Sequence, residues 1–127
     1  MERKVIALVD DMLFISKIRA TAESVGVTVK FARSIDAACE AATQTAASLI
    51  IADLQVHSCD PFALAERLKS SDLLKRVPLV GFFSHVETTL LHRAEAVGYD
   101  RVMPRSLFSK NLAEILSGSS VETPKAT

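Results

Sequence analysis

Three aspartates carry the chemical interest of this chain. Asp10 and Asp11 stand side by side just after "KVIALV", and Asp53 ends "SLIIAD". Each follows a run of aliphatic residues, so each carboxylate is delivered from a segment built for burial. A single aspartate in such a place is commonly a turn residue or a helix cap, and Asp11 taken alone can cap a helix beginning at Met12. Three in one crevice are a different matter. Two carboxylates about 4 Å apart repel by on the order of 4 kcal/mol at an effective dielectric near 20. A divalent cation, a basic side chain or a raised pKa must offset that repulsion. Oxygen ligands of this kind suit a hard ion such as magnesium.

The elements that must position these groups can be read from the hydrophobic pattern. Short apolar runs rich in β-branched residues recur at 4–9, 27–32, 48–53, 78–83 and 100–103. Between them the spacing is helical. Leu13, Ile15, Ile18, Ala22 and Val25 mark one face of a helix that Gly26 stops. Ser34 caps an alanine-rich segment, and Asp60 followed by Pro61 opens a third helix. Leu90, Leu91, Ala94 and Val97 line a fourth that ends at Gly98, and "SKNLAEIL" forms a fifth, starting between Ser106 and Ser109.

Continuous apolar strands joined by helices imply a parallel sheet buried on both faces. Right-handed crossovers then give a doubly wound α/β sandwich with a five-stranded parallel sheet. The expected domain spans residues 1–117, with 118–127 as a flexible C-terminal tail. Ligands of such sheets bind at the carboxyl ends of the strands. That end collects Asp10 and Asp11, then Asp53, Ser84 after the fourth strand and Met103 in the fifth.

Composition narrows the function. Lys plus Arg and Asp plus Glu number 15 each among 127 residues, which removes the electrostatic argument for nucleic acid or an anionic membrane as partner. A hydrophobic fraction of 49% argues against disorder. Cys39 and Cys59 form no CxxC pair, so reduced thiols are expected rather than a disulfide or zinc framework. No apolar run approaches the roughly 18 residues of a membrane span, and Asp10-Asp11 cut short the N-terminal run as a signal-peptide core. A soluble, cytoplasmic protein is expected. No GxGxxG or P-loop supports nucleotide binding, and His57, Cys59 and His85 match no zinc spacing.

Taken in order, "VIALVDD", "LIIAD", "PLVGFFS" and "VMP" resemble the response-regulator receiver domain, over residues 4 to about 117. The resemblance implies a (βα)5 flavodoxin-like three-layer sandwich and a role in two-component signal transduction, not an enzyme. By the same resemblance, Asp53 is the phosphoacceptor. The resemblance also implies Mg2+ bound by Asp10, Asp11, Asp53 and the backbone carbonyl of Gln55, here expected to be weakly held, and Ser84 as the switch hydroxyl that contacts the phosphate. The implied partners are a histidine kinase or phosphotransfer protein and an unidentified output protein, with the chain a monomer or weak dimer. The face usually used for output would show His92, Arg93, Glu95, Asp100 and Lys110.

The departures bear on the switch. The lysine position before Pro104 holds Met103, which has no charge. "VHSCDP" replaces the usual loop after the phosphoacceptor, and Asp100 stands at the switch-aromatic position beside Tyr99. Magnesium and Ser84 are then expected to bear the phosphoryl charge nearly alone; Arg101 and Arg105 are expected to be solvated, with either one reaching the pocket as the alternative. The alternative is a pseudo-receiver, a protein-binding module independent of phosphorylation. An aspartyl-phosphate phosphatase of the haloacid-dehalogenase type is disfavoured, because Gln55 stands where that chemistry wants an acid.

Overall fold

The structure is a computed structural model that describes residues 3–84 and 87–118. Strands β1 (Arg3–Leu8), β2 (Val27–Phe31), β3 (Leu49–Asp53), β4 (Leu79–Phe83) and β5 (Arg101–Pro104) alternate with helices. The helices are α1 (Met12–Val25), α2 (Ile35–Thr45), α3 (Pro61–Lys69), α4 (Thr88–Val97), α5 (Arg105–Lys110) and α6 (Leu112–Ser117). All strand pairings are parallel, in the order β2-β1-β3-β4-β5. The strands fall within a residue or so of the apolar runs, as expected when a central strand must be apolar on both faces.

Side chains alternate across the sheet and divide the core in two. Ile6, Leu8, Ile50, Ala52 and Leu79 pack with Ala38 and Ala42 of α2, Leu64 and Leu68 of α3 and Ala94 of α4. Val5, Ala7, Leu49, Ile51, Val80 and Phe82 pack on the other side, with Phe14 and Ile18 of α1, Phe108 of α5 and Ile115 of α6. Within that second layer Phe14, Phe82 and Phe108 form a trio, with Phe82 and Phe108 stacked at 4.6 Å.

The helix boundaries follow local chemistry. The Asp11 side chain accepts from the Leu13 and Phe14 amides, Ser34 from Ala37, and Asp60 from Phe62 and Ala63. Gly26 closes α1 in the left-handed region at φ 72°. Gly81 answers to a close approach instead: a Cβ there would stand 2.9 Å from Tyr99 Cδ2 and 3.0 Å from Leu54 Cδ2. Tyr99 itself is buried, and its hydroxyl donates to the Pro61 carbonyl at 2.8 Å.

The last helical region departs from expectation. It starts at Arg105, before Ser106, and breaks into two at Asn111. Pro104, extended at φ −64° and ψ 151°, sits at the N-cap, and no side chain caps α5. That is why the sequence carried no start signal. Asn111 leaves helical geometry at φ −106° and ψ 16°. Of the expected tail, residues 118–127, Gly118 is the C-cap of α6 at φ 95°, and the rest lies outside the described residues.

Candidate functional site

The strand order reverses direction between β1 and β3, where the chain has gone to β2 on one side and returns to β3 on the other. Clefts in open α/β sheets form at such a point, beyond the carboxyl ends of the strands. Asp10 and Asp11 follow β1 there, and Asp53 is the last residue of β3. Asp53 shares the parity of Leu49 and Ile51, so it faces the α1, α5 and α6 layer, in register with Phe82. It is 5% exposed and is the buried charged residue among those described. The three carboxylates, Gln55, Ser84 and Arg105 line one open cleft.

Each carboxylate has a different occupation. Asp53 Oδ1 accepts from its neighbour Gln55 N at 2.9 Å, and Oδ2 from Arg105 Nη2 at 3.4 Å. Asp11 uses Oδ1 to cap α1 and Oδ2 to accept from Arg105 Nη1 at 3.1 Å. Asp10 Oδ2 accepts from the amides of His57 and Ser58, both at 3.1 Å, and so docks the loop after β3. Asp11 is therefore both a helix cap and a carboxylate of the cleft lining.

These surroundings move the two carboxyls in opposite directions. Burial pushes Asp53 above the usual carboxylate range, Asp10 and Asp11 add to the rise, and the Gln55 amide and Arg105 oppose it. The Phe14 amide and then the Arg105 guanidinium hold Asp11 below that range. Asp53 is thus the carboxylate whose charge is least comfortable, and the one a charge-neutralising partner would affect most.

Arg105 corrects the expectation of a solvated side chain. It is 28% exposed, forks across Asp11 and Asp53, and lies over the rings of Phe14 at 4.4 Å and Phe82 at 5.5 Å. A cation at the first position of a helix works against the helix dipole, so the two carboxylates and the aromatic faces must hold it there. Met103 is buried with Phe82 and Phe108, away from the cleft lining. The cleft's cation is thus Arg105, two residues after the buried Met103 and just beyond the exposed Pro104.

The other expected residues are placed as follows. Ser84 is exposed at the end of β4, and its amide donates to Gln55 Oε1 at 2.6 Å. The Gln55 side chain thereby ties the loop after β3 to the loop after β4, a role its sequence position did not announce. His57 lines the cleft, Cys59 is not part of that lining, and His85 lies outside the described residues. Arg101 is half-buried and does not line the cleft. On the expected output face, Arg93 covers the Phe62 ring at 4.1 Å. Asp100 accepts from the Leu79 amide at 2.8 Å and pairs with Lys69, so both side chains are engaged within the fold. Tyr99, fixed by Gly81 and Pro61, is a core residue.

Whether these donors suit magnesium divides into kind and availability. In kind they do: carboxylate and carbonyl oxygens are the ligands a hard divalent ion takes, and three carboxylates exceed the single guanidinium paired to them. In availability, Asp11 Oδ2 and Asp53 Oδ2 are both held by Arg105. Among the described residues no three acidic, histidine or cysteine side chains are gathered as a metal cluster.

No protein-family model matches the chain, and no curated protein matches it. Solved structures do. CheY4, the chemotaxis response regulator of Vibrio cholerae, is 18% identical, with 94% of this chain and 99% of that one covered at a TM-score of 0.79. The phosphorylated cyanobacterial phytochrome response regulator RcpA is 18% identical over 97% and 93% of the two chains, at a TM-score of 0.73. The receiver domain of the sensor histidine kinase PA1611 from Pseudomonas aeruginosa carries a magnesium ion in its active-site cleft. It is 15% identical over 93% and 97%, at a TM-score of 0.79. The chain has the five-stranded α/β fold of response-regulator receiver domains.

Proposed function

We propose that the chain is a receiver-type signalling domain whose Asp53 accepts a phosphoryl group and that works through a protein partner rather than by catalytic turnover. The observation that carries this reading is the buried Asp53 at the switch point, facing two further carboxylates and a guanidinium in one cleft. Chemotaxis and phytochrome response regulators share the fold, and one receiver neighbour has magnesium in its active-site cleft.

In the proposed transfer a carboxylate oxygen of Asp53 attacks phosphorus. The bond from phosphorus to the donor's imidazole nitrogen, or to acetate in a small-molecule donor, breaks, and its electron pair leaves with that group. The acyl phosphate adds negative charge beside Asp10 and Asp11. Arg105 stands within reach of Asp53 Oδ2 and is the side chain that offsets this charge, with a planar fork suited to phosphate oxygens. Magnesium held by Asp10, Asp11, Asp53 and the Gln55 carbonyl would add further neutralisation when bound. Ser84 lies at the mouth, where its hydroxyl can contact the phosphate. A histidine kinase or phosphotransfer protein is the donor in this reading.

The test is incubation with magnesium and acetyl phosphate followed by intact mass measurement. One added phosphoryl group in the wild type and none in Asp53→Asn is expected. No adduct in either leaves a phosphorylation-independent binding module as the better reading.

A further inference from the structure

We propose that Arg105 is a tethered counter-ion that competes with a divalent cation for Asp11 and Asp53, so that loading the cleft requires the guanidinium to leave both oxygens. The inference rests on the reading of the cleft as a cation-assisted phosphoryl site, but not on phosphoryl transfer itself.

The geometry gives the competition its form. The two terminal nitrogens of Arg105 bond to Asp11 Oδ2 and Asp53 Oδ2, one to each. A divalent cation held by Asp11 and Asp53 would need those two carboxylates, and like charge keeps it from sharing the position with a guanidinium. The remaining oxygens are engaged elsewhere: Asp11 Oδ1 caps α1 and Asp53 Oδ1 accepts from Gln55 N. A carboxylate turned to give both of its oxygens to the cation would lose its cap or turn bond. Moving Arg105 breaks neither.

Arg105 also has somewhere to go and a reason to return. It is 28% exposed, so its head is at the edge of water rather than sealed in. Its Nε is buried with no hydrogen-bond partner, so the bound position is not fully satisfied. The faces of Phe14 and Phe82 hold the guanidinium by an attraction that survives a shift across the ring. The cleft therefore carries its own monovalent occupant, and its apparent affinity for a divalent ion is reduced by the fraction of time that occupant is in place.

The experiment is a magnesium titration of the wild type, Arg105→Gln and Arg33→Gln, followed by calorimetry and by amide signals. Arg33 lines the same cleft without pairing to Asp11 or Asp53, so it controls for charge alone. Arg105→Gln is expected to bind magnesium about tenfold more tightly or better, and Arg33→Gln less than about threefold. In the wild type, which needs no variant to fold, the Arg105 Nε–H signal should shift with the same midpoint as the Asp53 amide. Equal or weaker binding by Arg105→Gln, an equal gain in Arg33→Gln, no magnesium binding by any of the three, or an unmoved Nε signal overturns the proposal. Phosphoryl acceptance is scored separately by mass, so failure of either reading is seen without the other.

Discussion

Arg105 joins Asp11 and Asp53 through its two terminal nitrogens, at 3.1 and 3.4 Å, while its carbon centre rests 4.4 Å above Phe14. One side chain thus holds together the N-cap of α1, the end of β3 and the aromatic layer beneath them. Arg105→Gln removes the cation that opposes the rise at Asp53. The Asp53 carboxyl, followed by carbon-13 chemical shift, should titrate at higher pH in this variant than in the wild type. Arg105→Lys should recover only part of the difference, because an ammonium cannot fork to both oxygens or stack as a plane.

Asp53 imposes a stability cost that depends on pH. Its folded pKa is raised, chiefly by burial. Between the ordinary carboxylate value and that raised value the folded chain holds a proton that the unfolded chain has released. Its contribution to stability is therefore present at low pH and lost as pH rises through the folded pKa. Asp53→Asn should raise the melting temperature at pH 7, by an amount equivalent to about 1 kcal/mol. The gain should shrink toward pH 4, as thermal unfolding across that range will show.

Asp11 behaves in the opposite sense. Its folded pKa is depressed by the Phe14 amide and Arg105, so its contribution is present above the ordinary carboxylate value and lost as pH falls through the depressed one. Asp11→Ala removes both the cap and the Arg105 partner. It should cost about 1 kcal/mol or more in denaturant unfolding. Asp11→Asn keeps a capping oxygen for Leu13 and Phe14 and should cost clearly less.

Gly81→Ala tests the packing behind the site. The added methyl would meet Tyr99 and Leu54 at 2.9–3.0 Å, and Tyr99 is held by its bond to Pro61. A loss of about 1–3 kcal/mol is expected, measured by urea unfolding. Tyr99→Phe in the same background keeps the ring but frees it from Pro61, and should recover only part of the loss.

Much of this molecule was legible in the sequence, and the part that was not has a physical reason. "SLIIAD" and "PLVGFF" declare buried parallel strands by being apolar on both faces, and Asp60-Pro61 and Gly98 declare helix ends by backbone chemistry. The convergence of Asp10, Asp11 and Asp53 follows from strand order alone. Arg105 did not follow. Its place depends on Phe14, Phe82 and Phe108 meeting in space, and on Met103 turning into that layer. A signal was present nonetheless: an arginine opens a helix with no side-chain cap, where the dipole disfavours a cation. Gln55 escaped for a similar reason, since its bond to Ser84 crosses between two loops. Gln55→Ala should speed hydrogen exchange at the Ser84 amide.

The claim on which the account turns is that Asp53 is the phosphoacceptor. Its most direct measurement is borohydride reduction of protein treated with magnesium and acetyl phosphate, followed by peptide mapping. An acyl phosphate at this position is reduced to homoserine, so the account predicts homoserine at position 53 and unmodified Asp10 and Asp11. An intact aspartate at 53, or homoserine at 10 or 11 in its place, would contradict it.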